Sequence, residues 1–295
     1  MLNAWGDHPA VRATLEEASQ ALGEDIAQLI ASGPKDQLDL TTNTQPVMLT
    51  AAIAAWRAWL SEGGAQPVAV AGHSLGEYSA LVAAGALRLA DALQLVRLRA
   101  QAMQQAVPVG QGAMAAILGL DAAAVVAGCA QAAAATGEVV SAANFNDPKQ
   151  TVISGSQAGV AKACELLKAA GAKRALPLAV SAPFHCALMQ PAAESLRMRL
   201  VDVAIQGPGI PVINNIDVAA PAGPDAIRDA LYRQASGPVR WVEVVQALKA
   251  RGATHIVECG PGKVLAGMVK RIDAELLSGA VFDPASLQET KGMLA

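Results

Sequence analysis

Residues 67–85 read PVAVAGHSLGEYSALVAAG, and the rest of the chain is organised around this stretch. Small and β-branched residues at 68–72 predict a short buried strand. Residues 75–84 predict a helix, which Gly85 ends. Ser74 therefore stands between the end of a strand and the start of a helix.

The residues around this serine, Gly72-His73-Ser74-Leu75-Gly76, match the G-x-S-x-G pattern of a nucleophile elbow. The flanking glycines leave room for a sharp, strained turn that exposes the serine hydroxyl. The helix behind the turn directs backbone N–H groups at negative charge that forms there. The alternative is a glycine-rich turn whose serine only caps the helix.

The pattern on either side predicts an α/β fold with two parts. Helices are expected at 9–30, 44–60 and 91–107, and alternating strands and helices resume from 187 to 272. Between them, 113–180 has the order β-α-β-β-α-β of a ferredoxin-like unit. We predict a large α/β domain with a parallel sheet, residues 1–109 and 182–295, and a small inserted domain, residues 110–181.

Composition excludes several classes of function. The 295 residues carry a net charge of −3 and no polybasic run, which argues against nucleic acid and anionic membranes as partners. The start lacks the apolar core of a secretory signal, and no apolar run reaches the length of a membrane span. The four cysteines are scattered and the four histidines isolated, so we expect reduced thiols, a cytoplasmic location and no metal.

A serine nucleophile needs a base, and the histidines are the candidates. His73 adjoins the serine and should point away from it, His8 lies in a polar segment, and His255 opens a strand whose far end faces the site. His185 remains, at the point where the chain leaves the small domain. Its alternative role is that of a capped helix start, and its neighbour Cys186 is interpreted as a small buried hydrophobe.

An arginine lies on the apolar face of the helix predicted at 91–107. The neighbours of Arg99 at helical spacing are Ala92, Leu95, Val96, Ala102, Met103 and Ala106. Arg97 falls on the polar side. A buried guanidinium needs an anion, which is either a protein carboxylate such as Glu77 or a carboxylate of the substrate.

Together these residues predict acyl transfer on an acid that keeps a free carboxylate. Ser74 would attack the acyl group, His185 would move the proton and Arg99 would hold the acyl carboxylate. A further turn, Gly260-Pro261-Gly262, precedes a helix. It is either a phosphate cradle or a plain structural turn, and its spacing matches no dinucleotide fingerprint.

Five blocks of the chain resemble bacterial malonyl-CoA:acyl-carrier-protein transacylases. They are GHSLGEYSALVAAG, LVRLRAQAMQQAVP, VSAPFHCALM, PVINNIDV and ECGPGKVLAGMVKRI. The resemblance implies an α/β-hydrolase-like core with a ferredoxin-like insert. It also implies a malonylated Ser74, His185 as base, Arg99 as malonyl ligand, the Gln234 carbonyl behind the histidine and the Leu75 N–H in the oxyanion hole.

The same resemblance implies the partners. They are malonyl-CoA, which is the coenzyme A thioester substrate, and the phosphopantetheine thiol of an acyl carrier protein in fatty acid biosynthesis. We expect no separate cofactor and a monomeric enzyme. Polyketide synthesis is the nearest alternative. A serine hydrolase shares the elbow but normally places its acid and histidine late in the chain. An inactive binding module is the third alternative.

Members of this family begin with a strand followed by Gly-Gln-Gly-Ser-Gln, whose first glutamine supplies the second oxyanion N–H. The present sequence starts at Met1-Leu2, just after that point. Removal of one oxyanion donor lowers rates by about 10²–10³-fold. We therefore expect this polypeptide to be less active than a chain with the upstream strand added. Equal transacylation rates for the two chains would refute that expectation.

Overall fold

The computed structural model describes residues 1–294. A short 3-10 helix, Asn3–Trp5, is followed by helices α1, Pro9–Leu22, α2, Ile26–Ser32, α3, Lys35–Asp39, and α4, Thr41–Ser61. The single helix predicted at 9–30 is wrong. Gly23 ends α1 with a left-handed φ of 66°, and Asp25 starts α2 by accepting a hydrogen bond from the Gln28 N–H.

The central stretch forms the predicted strand, turn and helix. Strand β1 covers Val70–Ala71, helix α5 Gly76–Ala83 and helix α6 Leu89–Ala106. The strand is shorter than predicted because only these two residues pair with a neighbouring strand. Gly85 follows α5 with a φ of 73°, a conformation that favours glycine and stops the helix as expected.

A four-stranded antiparallel sheet follows. Its elements are β2, Gly112–Leu118, α7, Ala122–Thr136, β3, Val140–Asp147, β4, Gln150–Ser156, α8, Gln157–Ala169, and β5, Arg174–Pro177. The strand order is β3-β4-β2-β5. This is the order of a ferredoxin-like unit, and the α/β fold class is thereby confirmed. Ile117, Val125, Ile153 and Leu167 lie in a core shared by the two helices and the sheet. That separate core supports the proposed division at 110–181.

The chain then returns to the part of the molecule that contains β1 and helices α1 to α6. It forms α9, Gln190–Leu200, β6, Val212–Ile213, α10, Pro224–Ser236, α11, Trp241–Ala250, β7, His255–Cys259, α12, Val264–Ile272, β8, Leu277–Val281, and α13, Pro284–Leu294. Two parallel pairs form, β1 with β6 and β7 with β8. The sequence pattern did not predict β8 or α13. It predicted one helix at 187–203, whereas a 3-10 turn, Ala187–Met189, precedes α9.

The antiparallel sheet is joined to the loop between α10 and α11 through the last residues of β3. The N–H of Phe145 donates to the carbonyl of Val239 over 2.9 Å, and the Val239 N–H donates to the carbonyl of Ala143 over 2.8 Å. Beside them, Arg271 donates to the buried carboxylate of Asp147 over 2.7 Å. The Oδ1 of Asn146 lies 2.8 Å from the Nε2 of His73, so the last residues of β3 are held next to the turn that carries Ser74.

Among residues 1–294, no helix is both long and apolar enough to cross a membrane.

Candidate active site

The turn between β1 and α5 has the strained geometry of a nucleophile elbow. Ser74 has a φ of 52°, in the left-handed region that residues with a side chain rarely adopt. A Cβ atom at Gly72 would lie 1.9 Å from the carbonyl carbon of Gly76, so only glycine fits at the first position. A Cβ at Gly76 would meet nothing within 4 Å, so the expectation that both glycines leave room holds only for Gly72.

The structure brings Ser74 and His185 together. The Oγ of Ser74 lies 2.6 Å from the Nε2 of His185. The Nδ1 atom on the other side of the ring lies 3.1 Å from the carbonyl oxygen of Gln234 and 3.0 Å from that of Gly237. Carbonyl oxygens only accept hydrogen bonds, so Nδ1 carries the proton and Nε2 is free to accept the serine proton.

The environment of His185 keeps its ring neutral. Burial is the largest cause, followed by the positive charge of Arg99 and by His73, and together they lower the pKa of His185 to about 3. The residue also has a left-handed φ of 60°. A neutral imidazole can act as a general base, and the strained backbone of both residues is typical of an active site.

Arg99 lies on α6 with 3% of its surface exposed. Its Nη1 donates to the Oε1 of Gln45 over 2.7 Å, and its Nη2 donates to the Oγ of Ser74 over 3.1 Å. The guanidinium carbon lies 5.6 Å from the centre of the Tyr78 ring, and Nε has no partner. No carboxylate oxygen of residues 1–294 lies within 4.0 Å, so the described part of the chain does not neutralise this charge directly.

Glu77 is the protein carboxylate that the sequence offers to Arg99, but its hydrogen bonds go to other groups. Its Oε2 accepts a 2.8 Å hydrogen bond from the backbone N–H of Asn215 and a 3.0 Å bond from the Nε2 of Gln234. Burial, the largest cause, raises the pKa of Glu77 to about 7, although both hydrogen bonds and the charge of Arg99 act in the opposite direction. The carboxyl group therefore serves the polar network beneath Ser74.

Gln234 connects the members of the site. Besides its carbonyl behind His185, its side-chain Nε2 donates to the carbonyl of Ser74 over 3.0 Å, and its Oε1 accepts a 3.3 Å bond from Arg99. The sequence reading assigned only the carbonyl, through the resemblance. A fully buried glutamine on α10 next to the Tyr232-Arg233 pair gives no sequence signal for the side-chain role, because the partners are far away in the chain.

The backbone N–H of Leu75 is the predicted donor to the oxyanion. This N–H, at the start of α5, donates to no group among residues 1–294. It follows the nucleophile directly, as the first oxyanion donor does in enzymes with this elbow. Its role stays a prediction.

The other histidines and Cys186 lie outside the reacting group. His73 points to the small sheet, with its Nε2 2.8 Å from the Oδ1 of Asn146, as expected for a side chain directed away from Ser74. His8 is 3.5 Å from Glu62, and His255 contacts its neighbour Thr254. Cys186 is buried, and burial raises the pKa of its thiol.

Beside the turn Gly260-Pro261-Gly262, a carboxylate of the protein itself binds the start of the following helix. The Oε2 of Glu258 accepts a 2.9 Å hydrogen bond from the N–H of Ala266 in the first turn of α12. A carboxylate of the protein thus occupies the helix start where a phosphate would bind. This contact favours the structural-turn interpretation. In residues 1–294, no group of His, Cys, Asp and Glu side chains is arranged to hold a metal ion.

A serine paired with a neutral histidine is the nucleophile and base of acyl chemistry, and an arginine without a carboxylate partner beside them favours the class of serine-dependent acyltransferases. Comparison with known proteins supports this class. The family model for the acyl transferase domain matches residues 5–278. The chain therefore belongs to the acyl transferase domain family, and the resemblance predicted from its sequence is confirmed.

Individual relatives share most of their length with this chain. The malonyl CoA-acyl carrier protein transacylase of Salmonella typhimurium is 50% identical over 281 residues, which cover 95% of this chain and 90% of the relative. The crystal structure of the acyl-carrier-protein S-malonyltransferase from Burkholderia pseudomallei is 64% identical, with a TM-score of 0.96 over 99% of this chain and 94% of that one. A malonyl-transacylase in complex with a type II polyketide acyl-carrier protein is 47% identical, with a TM-score of 0.94 over 97% of this chain and 92% of that one.

Ionisation of Glu77 is expected to make the stability depend on pH. With a native pKa of about 7 against an ordinary value of 4.5, the native state binds more protons than the unfolded chain between these values. The free energy of unfolding should therefore fall as pH rises through this window, by up to about 3 kcal/mol, and level off above it.

Glu77→Gln keeps an acceptor for both hydrogen bonds but cannot ionise. Urea unfolding of parent and variant at about pH 5 and about pH 8 measures the effect, and the parent should lose more stability than the variant between them. An equal loss in both proteins would show that Glu77 is not the titrating group.

Proposed function

We propose that this chain transfers a malonyl group from malonyl-CoA to the phosphopantetheine thiol of an acyl carrier protein, through a malonyl-serine intermediate. The observation that carries the proposal is the buried Arg99 guanidinium, 3.1 Å from the Ser74 hydroxyl and without a carboxylate partner among residues 1–294. A planar guanidinium matches a carboxylate in a bidentate way. An acyl group with a second carboxylate places that carboxylate on Arg99 while its thioester carbon faces Ser74.

In the first half reaction, the Nε2 of His185 accepts the proton of the Ser74 hydroxyl as Oγ bonds to the thioester carbon. The carbonyl oxygen becomes negative and is stabilised by the Leu75 N–H. When the intermediate collapses, the carbon–sulfur bond breaks and the coenzyme A thiolate takes the proton from His185. Ser74 is then an ester of malonate, with its free carboxylate on Arg99.

The second half reaction runs in reverse with a different thiol. His185 accepts the proton of the phosphopantetheine thiol, and the sulfur of this thiol attacks the ester carbon. The proton returns to Ser74 Oγ as the ester bond breaks. The two thiols use the same site in turn, so the proposed kinetics are ping-pong.

The partners behind His185 favour a thiol over water as the second nucleophile. Two neutral carbonyls, of Gln234 and Gly237, stabilise a protonated imidazole less than a carboxylate does, so the histidine is a weak base. A thiol has a pKa of about 8.5 and bulk water one of about 15.7, so a weak base suffices for the thiol. The same histidine also has to take the proton of the Ser74 hydroxyl in the first half reaction, so the preference for a thiol over water is one of relative rate, and it is measured by comparing carrier transfer with malonate release.

Fatty acid and polyketide synthesis remain two possible destinations of the malonyl group. The relatives named above include a transacylase bound to a type II polyketide carrier, so the polyketide carrier is the second candidate. Both candidates use the same chemistry and differ in carrier surface. Competition between a fatty acid carrier and a polyketide carrier for limiting acylated enzyme separates them, because the physiological carrier should take most of the malonyl group.

The test of the proposed function is the intact mass of both proteins. Incubation with malonyl-CoA alone should add one malonyl group to the enzyme, and addition of the phosphopantetheinylated carrier should move it to the carrier. A matched reaction without carrier measures release of free malonate. No adduct on the enzyme would favour an inactive binding module, and malonate release as fast as carrier transfer would favour a hydrolase.

A further inference from the structure

Asn215, just after β6, is fully buried and hydrogen-bonds to the turn that carries the nucleophile. Its Oδ1 accepts a 2.7 Å hydrogen bond from the N–H of Ser74. Its Nδ2 donates to the carbonyl of Gly72 over 2.8 Å. One carboxamide therefore bridges the backbone on both sides of His73.

The turn needs an external support because its own geometry is unfavourable. Ser74 has a left-handed φ of 52°, and Gly72 packs against the Gly76 backbone so closely that no side chain fits there. A residue in this conformation persists only where the surroundings hold it. The two hydrogen bonds of Asn215 are made with the two peptide groups that precede Ser74, through the carbonyl of Gly72 and the N–H of Ser74.

Glu77 in turn holds the support in place. Its carboxyl accepts from the backbone N–H of Asn215 and from the side chain of Gln234, which also donates to the carbonyl of Ser74. The N–H and the C=O of the nucleophile are thus bound by the side chains of Asn215 and Gln234, and both residues donate to the same carboxyl oxygen of Glu77, Asn215 through its backbone N–H. All of these side chains are buried, so water does not compete for the bonds.

We propose that Asn215 is a positioning residue for the nucleophile, with Glu77 as its anchor. Its carboxamide keeps Ser74 in the strained conformation that places Oγ at hydrogen-bond distance from His185 and leaves the N–H of Leu75 without a protein partner. Asn215 touches no reacting atom and acts through the backbone of Ser74. The inference rests on the proposed function only for the transfer assay.

The test compares Asn215→Ala with Asn214→Ala. Asn214 is the preceding residue and is also buried, but its side chain accepts from the N–H groups of Asp217 and Ala219 in its own turn and does not reach the elbow. Loss of Asn215 should lower kcat for malonyl transfer by about 10²-fold, because a small displacement of a reacting group has effects of this size. KM should change by less than about threefold, since the substrate ligand Arg99 is untouched.

A second readout does not depend on the acyl donor. Labelling of Ser74 by a fluorophosphonate reports how well the hydroxyl is placed, and Asn215→Ala should slow it by a factor similar to the loss in kcat. Asn214→Ala should leave it within about threefold of the parent. A parent chain that is labelled but forms no malonyl adduct would refute the proposed function and leave this inference intact.

Thermal unfolding and near-ultraviolet circular dichroism show which variants are folded. If Asn215→Ala does not fold, Asn215→Ser takes its place, because its hydroxyl is too short to span both backbone groups. A folded variant with labelling and kcat within about threefold of the parent would overturn the proposal. So would a loss of fold in both variants while Asn214→Ala stays folded, since Asn215 would then support the fold alone.

Discussion

Ser74→Ala is expected to abolish the covalent malonyl adduct and to lower kcat/KM for transfer by about 10⁴-fold or more, because no intermediate can form without the hydroxyl. The 2.6 Å contact with His185 and the half-buried position on the strained turn identify this oxygen as the nucleophile of the proposed mechanism. Intact mass after incubation with malonyl-CoA measures the adduct, and transfer to the carrier measures the rate.

Ser79→Ala is the matched control for this variant. Ser79 lies on the same helix α5, and its hydroxyl makes no hydrogen bond to the site in the described chain. It should keep both the adduct and the rate. An adduct that survives in Ser74→Ala would place the nucleophile elsewhere, with the thiol of Cys186, next to the histidine, as the first residue to examine.

Arg99→Ala is expected to remove the preference for malonyl-CoA over acetyl-CoA. Loss of the buried ligand leaves the malonyl carboxylate desolvated and unpaired, which corresponds to about 3–5 kcal/mol, or a fall of about 10²–10⁴-fold in kcat/KM for malonyl-CoA. Acetyl-CoA has no carboxylate, so it loses only what the 3.1 Å hydrogen bond of Arg99 to Ser74 contributes. The charge of Arg99 also lowers the pKa of His185, so its removal makes the base stronger for an uncharged acyl group.

Arg97→Ala is the control, two residues earlier on α6. Arg97 donates to the carboxylate of Glu24 and to the carbonyl of Thr42, away from Ser74. Competition between malonyl-CoA and acetyl-CoA, read by mass on the enzyme, gives the selectivity of both variants. A malonyl preference that is unchanged in folded Arg99→Ala would contradict the assignment of this residue as the carboxylate ligand.

The sequence was informative where local patterns carry the structure. The G-x-S-x-G turn, the apolar face around Arg99 and the β-α-β-β-α-β order all depend on residues close together in the chain, and the structure has each of them. It was less informative at element ends. The helix predicted at 9–30 breaks at Gly23, because a left-handed glycine followed by the capping residue Asp25 outweighs a continuous apolar spacing.

The support of the nucleophile shows the limit most clearly. Asn215 is 141 residues from Ser74, and Gln234 is 160 residues from it, yet both hydrogen-bond its backbone. Nothing in the spacing of polar residues indicates such contacts. Glu77 illustrates the same point: the sequence offers it as one carboxylate that could pair with Arg99, whereas its hydrogen bonds go to Asn215 and Gln234.

By itself, the sequence determined which residue types can do the chemistry: an exposed serine at a strand-to-helix turn, a histidine after the inserted unit and an arginine on an apolar helix face. These follow from backbone sterics, helical periodicity and the free energy of burying a charge, all of which act locally. The tertiary structure alone decided that the Gly237 carbonyl joins that of Gln234 at the second nitrogen of His185, that no described carboxylate binds Arg99, and which amides hold Ser74. Those contacts depend on how distant segments pack, because hydrogen bonds require atoms within about 3 Å and a chain pattern does not specify such distances.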